Sequence, residues 1–550
     1  MRKRVGLFIL VSLVYSLAWM SLALPYRPFP SDDDYFRSFI DQPGIFNSVL
    51  MTVRSHHPVL LGSLKLTKLA WFLFSNDLSS ALLLQAVISN SVLLFLICLM
   101  VWALTKNVFV LCAAAILYGT SAWPAAYYFF YSYAPFSAML LCLGLYFILK
   151  AYIEPSQAAR RLMWAGIVCG LAFWASPSAG VMIAAYFLIL LYLFCCHSRV
   201  PLFGIPLRGK SGNPDKLDCP VKPDNDKVDQ FVERLPEFSN IVRIYLKSLL
   251  LVILPFSFLS LPALKDHILE NCRQYAGADV QVLKTPFFSF FRVLGEYNGW
   301  LLAGFLLMLV LYGIAVVLKR GPAPLQPEER CARALVIGVF LHSLLVDILP
   351  STKLARTNFA VFPLFIIAAV SLFWFLFLKL SGRLKYCLAG LGIILLIPLL
   401  YTNLELCRQL IQSRQSLPAY LTAQPKDRPL YILEEDSHAE AIISWLEGFH
   451  IQRIKKADLE RIVSAQTKGG IILGPSGPGS GQSILANCCL DDFLIEDVRM
   501  RLEKMNRVVL PYYAYFPPFL LEEETCEGLY FSGNIVDYRH DSKNITFFYW

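Results

Sequence analysis

Runs of about twenty apolar residues recur from Val5 to Tyr401, and about 20 residues is the length a helix needs to cross a bilayer. Inside lipid every backbone polar group must be satisfied within the chain, so only helices and closed barrels span. Barrel strands alternate apolar and polar positions; these runs are continuous. The runs are Val5–Leu24, Leu78–Leu104, Val108–Trp123, Tyr128–Tyr152, Leu162–His197, Ile244–Leu264, Trp300–Leu318, Ala334–Pro350, Phe359–Leu378 and Tyr386–Tyr401. Leu162–His197 is too long for one crossing and carries a break at Ser176–Ser178, so it counts as two. The expectation is an α-helical polytopic membrane protein with about 11 crossings. Composition agrees: 56% of the chain is hydrophobic and 16% charged, against about 25% charged in soluble domains.

The positive-inside rule sets orientation. With the N-terminal Met1-Arg2-Lys3-Arg4 in the cytoplasm, the inside loops are Thr105–Asn107, the segment around Arg160-Arg161, His197–Arg243, the stretch from Lys319 to Arg333 and that around Lys379–Lys385. Most of these are rich in Lys and Arg. Pro25–Asn76, the turn near Pro124, Lys265–Gly299, Ser351–Asn358 and everything after Tyr401 then lie outside. Met1–Leu24 has a basic start, but its apolar core is longer than that of a signal peptide, so it reads as an uncleaved first span. The net charge of +9 belongs to the loops and implies no nucleic-acid partner. A bacterial inner membrane is the expected setting.

After Tyr401 the composition changes. Arg428–Asp436 and Gly469–Pro475 read as strands, Ser437–Phe449 as an amphipathic helix, and the stretches from Asn506 and from Gly528 as β-rich. Two units follow: a transmembrane unit over 1–401 and a small extracytoplasmic α/β unit over 402–550. The 14 cysteines form no Cys-x-x-Cys pair, so neither a zinc site nor a disulfide framework is read. Gly474–Ser483 is rich in Gly, Ser and Pro, but Gln482 stands where a phosphate-binding loop needs Lys; it reads as a flexible loop.

Three consecutive carboxylates, Asp32, Asp33 and Asp34, follow the first span. They are either a solvated helix stop or a base and sugar-binding cluster at the membrane face, since acids beside the bilayer are functional candidates. Phe46–Phe74 is too polar to cross and too apolar to float, which suits helices lying in the interface. It contains His56-His57-Pro58. Lys353 and Arg356 sit at the outer end of a late span, as interface anchors or as partners of an anion. Tyr133 belongs to an aromatic turn that fits an interfacial belt or the face of a sugar ring.

A short first span, an acidic outer loop carrying Asp32-Asp33-Asp34-Tyr35-Phe36, interfacial helices, His56-His57-Pro58 and then the second span form an order that resembles the C-type integral-membrane glycosyltransferases. That superfamily includes the protein O-mannosyltransferases and the lipid A aminoarabinose transferases. Lys353, Arg356 and Pro363 resemble a second motif of the superfamily, before a late span. The likeness covers 1–401 in architecture. It departs in the turn Trp123–Met139, which lacks the acid that many relatives carry there.

The resemblance implies a glycosyltransferase that takes a sugar from a polyprenyl-phosphate donor and moves it, with inversion, to a glycan, lipid or protein acceptor. Asp32 or Asp33 is the expected base, Lys353 and Arg356 hold the donor phosphate, and His56, His57 and Tyr133 contact substrate. No cofactor or metal is demanded. The alternative is a transporter or flippase for a lipid-linked sugar, which predicts ionisable groups and broken helices at mid-bilayer.

Overall fold

The computed structural model describes residues 2–23, 29–30, 52–55, 57–71, 78–128, 130–131, 134–195, 239–258, 260, 262–263, 265, 288–318, 326–348, 358–422 and 458, and five strands between 429 and 549. Its helices are α1 (Arg2–Ala23), α2 (Pro58–Trp71), α3 (Leu78–Thr105), α4 (Val108–Gly119), the short α5 (Ala122–Ala126), α6 (Ala134–Ile153), α7 (Ala158–Ala175) and α8 (Ala179–Cys195). They continue with α9 (Ser239–Phe258), α10 (Ser289–Leu318), α11 (Pro327–Ile348), α12 (Phe362–Lys379) and α13 (Arg383–Thr422).

Helix therefore occupies most of each apolar run. Among the described residues six helices are long and apolar enough to cross a membrane: α3, α6, α9, α10, α12 and α13. Three apolar helices are shorter, within α1, α4 and α8. The chain is an α-helical polytopic membrane protein. A helix apolar on every side belongs inside a bundle or against lipid. Burial separates the two cases: 72% of the apolar windows of α3 and α12 is enclosed, against 17% for α9 and α13. So α3 and α12 form the centre and the other two face outward.

Local chemistry sets the turns. Lys106 takes a left-handed φ of +52°, which reverses the chain between α3 and α4. The Asn107 side chain then caps α4, accepting from the amides of Phe109 (2.9 Å) and Val110 (3.1 Å). The break at Ser176–Ser178 separates α7 from α8 where the sequence places it, with Ser176 and Ser178 hydroxyls 2.7 Å apart.

Helix α7 carries Gly166 and Gly170 four residues apart, the small-residue spacing that lets helix backbones approach closely. A Cβ at Gly166 would lie 2.5 Å from the Tyr245 carbonyl oxygen of α9, and one at Gly170 2.8 Å from Val252 Cβ. Gly166→Ala must push α9 away. It is expected to cost about 1–3 kcal/mol, read as a lower Tm in detergent. Gly62→Ala, with no atom within 4 Å of the added Cβ, should hold or raise Tm.

Helix α10 is interrupted at Asn298, whose φ and ψ are −156° and 88°. The side chain compensates. Its oxygen accepts from Leu301 N (3.2 Å), and its amide donates to Asn403 Oδ1 (2.9 Å) and the Leu399 carbonyl (3.2 Å) of α13. Asn403 in turn donates to Thr120 Oγ1 at 3.3 Å. Buried polar groups are tolerable only when bonded in this way, and this relay ties α10, α13 and the end of α4 together.

The composition change at Tyr401 falls inside α13, which runs on to Thr422. Beyond it lie β3 (Pro429–Leu433), β4 (His450–Ile454), β5 (Gly470–Leu473), β6 (Asn506–Pro511) and β7 (Asn544–Tyr549), in a sheet of order β4-β3-β5-β7-β6. The first three are mutually parallel, and β7 is antiparallel to β5 and β6. The strands read at Arg428–Asp436, Gly469–Pro475 and from Asn506 are present. Strands β4 and β7 were not among those expected. The helix expected over Ser437–Phe449, the Gly474–Ser483 loop, the stretch from Gly528 and most of the 197–243 loop lie outside the described residues.

Candidate active site

The site has to be built from its fixed edges. At the finishing end of α1, Trp19 stacks on Tyr128 with centroids 6.3 Å apart at 12°. The Ser16 and Tyr128 hydroxyls are 3.1 Å apart, and Ser91 of α3 donates to Ser16 at 2.5 Å. The corner after α4 is therefore locked onto α1 and α3 through Tyr128, which is fully buried.

Two residues carry the chain on from that corner into a parallel pairing. β1 (Phe29–Pro30) lies beside β2 (Phe130–Tyr131), in the register Phe29 with Phe130 and Pro30 with Tyr131. This backbone contact joins the outer segment after α1 to the aromatic turn before α6, a hundred residues later. Asp32 stands two residues past Pro30 in the chain, and Tyr133 two residues past Tyr131.

The third edge is the start of α12. Asn358 is buried and Phe359 opens a 3₁₀ turn, Phe359–Val361, that runs into α12. Phe359 packs on Tyr127 at 4.7 Å and on Trp123 at 5.9 Å; Phe362 packs on Trp123 at 5.0 Å. Such aromatic pairs contribute about 0.5–1.5 kcal/mol each beyond area burial. Pro363, expected from the motif, sits buried in the first turn of α12, where a missing N–H costs nothing. Arg356 stands two residues before Asn358 in the chain. On the other flank, Asp347 in the last turn of α11 accepts from the amide of Phe288. Phe288 precedes α10 and has φ of +70°, so a carboxylate meets a helix start, where negative charge is favoured.

His57 is described and buried. It begins α2: its carbonyl accepts from Leu61 N at 3.0 Å and its amide donates to Ser55 Oγ at 3.3 Å. The turn before it is held from elsewhere, because Ser260 beyond α9 donates to the Val53 carbonyl. Gln85 of α3 donates to Ser63 of α2 at 2.9 Å, so α2 is fastened to α3, which also adjoins β2.

Of the expected site residues, Asp32, Asp33, Asp34, His56, Tyr133, Lys353 and Arg356 lie outside the described residues. The structure brings together described elements that lie near some of them in the chain: β1 with β2, and Trp123 and Tyr127 with the start of α12. Sequence reading gave no sign of Trp123, Tyr127, Tyr128 and Phe359 as the frame of this corner. The crowding of aromatics over Trp123–Tyr133 was the available signal. Among the described residues no group of three or more His, Cys, Asp and Glu could hold a metal.

No protein-family model and no curated protein matches the chain. Similar solved structures include ArnT from Cupriavidus metallidurans bound to undecaprenyl phosphate, at 10% identity, covering 99% of this chain and 98% of that one with a TM-score of 0.43. The archaeal oligosaccharyltransferase AglB from Archaeoglobus fulgidus, in complex with an inhibitory peptide and a dolichol-phosphate, is 12% identical. It covers 92% and 69% of the two chains at a TM-score of 0.42. ArnT from C. metallidurans in the apo state is 11% identical over 88% and 95%, with a TM-score of 0.29.

Proposed function

We propose that this chain transfers a sugar from a polyprenyl-phosphate donor to an acceptor hydroxyl at the outer face of a membrane, with inversion. One observation carries the reading beyond the motifs: β1 pairs with β2 beside the aromatic packing of Phe359 and Phe362. The described ends nearest these residues in the chain, Pro30, Tyr131 and Asn358–Phe359, lie on elements that pack at one corner of the bundle, which supports the reading. Asp32, or Asp33 next to it, takes the proton from the acceptor hydroxyl. That oxygen bonds to the anomeric carbon on the side opposite the phosphate. The bond from that carbon to the phosphate oxygen breaks, and its electron pair leaves with the phosphate. Lys353 and Arg356 hold the growing negative charge, Arg in the bidentate geometry suited to phosphate. His56, His57 and Tyr133 contact the substrates.

In this reading the chain crosses about eleven times with its N-terminus in the cytoplasm of a bacterial inner-membrane setting. The helices after Phe46 lie in the interface, and the sheet-bearing unit over 402–550 lies outside. Alkaline phosphatase and a cytoplasm-only fluorescent reporter, fused separately after Trp550, test the orientation. A phosphatase-active, dark pair is expected; a fluorescent, phosphatase-inactive pair puts every site on the wrong face. The activity itself is tested by mass spectrometry of envelope glycans and lipids from cells with and without the chain. One glycan or lipid should lose a single sugar while the sugar-charged carrier accumulates. An unchanged profile contradicts the reading.

The flippase alternative draws on the interruption of α10 at Asn298 and on His342, buried in α11 with neither ring nitrogen bonded among the described residues. It predicts movement of the donor across vesicles with its sugar–phosphate bond intact.

A further inference from the structure

Helix α10 is not one straight rod. From Phe291 to Phe305 a continuous helix would rise about 21 Å, yet the two rings lie 6.5 Å apart at 19°. The interruption at Asn298 therefore folds the arm 289–297 back along the span 299–318. A Cβ at Gly295 of the arm would come within 3.2 Å of Leu302 Cδ2 of the span. Asn298 is the elbow, and it is buried.

Two supports hold the start of α12. From α10, Phe290 of the arm lies 5.7 Å from the Phe365 ring and Phe305 of the span lies 4.8 Å from it. From the α4–α5 corner, Trp123 receives Phe362 and Tyr127 receives Phe359. Both supports are bonded to one residue of α13. Asn403, fully buried, accepts through Oδ1 from Asn298 Nδ2 at 2.9 Å and donates through Nδ2 to Thr120 Oγ1 at 3.3 Å. The Thr120 hydroxyl donates to the Ile116 carbonyl at 2.8 Å, so a lone pair is what it offers the Asn403 amide. One turn further along α13, the Cys407 thiol donates to the Thr120 carbonyl at 3.5 Å, and α13 also packs on α5.

Apolar side chains could fill the same space. Replacing both members of a buried hydrogen bond by apolar groups of like shape is close to neutral for stability. What the amides add is direction, because a satisfied buried polar network specifies one arrangement of the elements it joins. Asn403 uses the oxygen of its amide on one support and the nitrogen on the other, so it fixes the elbow and the corner relative to each other.

We propose that Asn403 is a positioning residue: by joining the elbow of α10 to the α4–α5 corner it sets both supports, and through them the place where the chain enters α12. Its bearing on catalysis rests on the transfer proposed above, in which Lys353 and Arg356, shortly before α12 in the chain, hold the donor phosphate. Hydrogen–deuterium exchange of the purified full-length chain in detergent, read by mass spectrometry beside sugar transfer, tests it. Asn403→Leu should speed exchange over 122–128 and 359–365 by about tenfold, the scale of one or two neutral hydrogen bonds, and leave exchange around Gly166 and Gly170 unchanged. Transfer should fall on the same scale. Thr120→Val removes the accepting hydroxyl at nearly constant shape and should act in the same direction more mildly, which keeps the test open should Asn403→Leu fail to fold. Thr120→Ser keeps the hydroxyl and should behave as wild type. Unchanged exchange at 359–365 in both Asn403→Leu and Thr120→Val overturns the role. So does a rise spread evenly over the chain, which makes Asn403 merely structural, and so does faster local exchange with full transfer. Wild-type protein that transfers no sugar contradicts the proposed function instead, and the local exchange still decides whether Asn403 sets the corner.

Discussion

Asp32→Asn is expected to lower sugar transfer by at least about 10²-fold, the lower bound of what general-base catalysis supplies. The substitution keeps shape and hydrogen-bonding capacity but removes the proton acceptor, so expression and donor binding should change little. A carboxylate partly withdrawn from water is a stronger base than a solvated one, which under the proposed function gives acids beside the bilayer a use. The resemblance to the C-type glycosyltransferases, through the spacing of acid and aromatic at Phe36, implies Asp32 first and Asp33 second, and Asp34→Asn should be nearly silent. The pairing of Pro30 with Tyr131 fixes the chain just before the three acids. Transfer of labelled sugar by each single variant checks the order. Full activity in all three makes the cluster a solvated helix stop. Loss in Asp33→Asn alone moves the base by one residue.

Arg356→Ala should lower turnover by about 10- to 100-fold, because a hydrogen bond to a charged group is worth roughly 1.5–3 kcal/mol. Lys353→Ala should have a milder effect, since an ammonium cannot form the paired contact of a guanidinium. Arg356→Lys separates charge from geometry: a defect close to that of Ala means the fork matters, and near-complete rescue means only charge does. The same variants should raise the donor concentration needed for half-maximal rate. Lys353→Ala and Arg356→Ala both behaving as wild type would leave the two as interface anchors.

Much of this architecture is legible in the sequence, for a physical reason. Hydrocarbon demands apolar length, and length is a local property that one stretch of chain shows by itself. The break at Ser176–Ser178 is legible for the same reason, because a run too long for one crossing needs a turn. What escapes is long-range. The pairing of Phe29–Pro30 with Phe130–Tyr131 involves two residues on each side, too few to leave a pattern. Strand β4, His450–Ile454, carries Gln452 and Arg453 and lies at the edge of its sheet, so it lacks the apolar run that marks β3 and β5. The end of α13 is missed for another reason. Composition reports the solvent around a helix, so polarity rising after Tyr401 reads as a boundary although the hydrogen-bonded helix continues to Thr422. The candidate site stands in the sequence as residue types, acids after the first span and cations before a late one, and these lie outside the described residues. The described corner nearest them in the chain depends on Trp123, Tyr127 and Phe359, whose packing no local pattern announces.

The most direct test is a purified reaction in detergent: full-length protein, polyprenyl phosphate carrying an isotope-labelled sugar, and an envelope extract as acceptor, with the products resolved by mass spectrometry and NMR. Label should appear in an acceptor, matched one for one by polyprenyl monophosphate, and the new bond should have the anomeric configuration opposite to that of the donor. Donor recovered intact, with its sugar still on the phosphate after the protein has bound it, would contradict the transferase account.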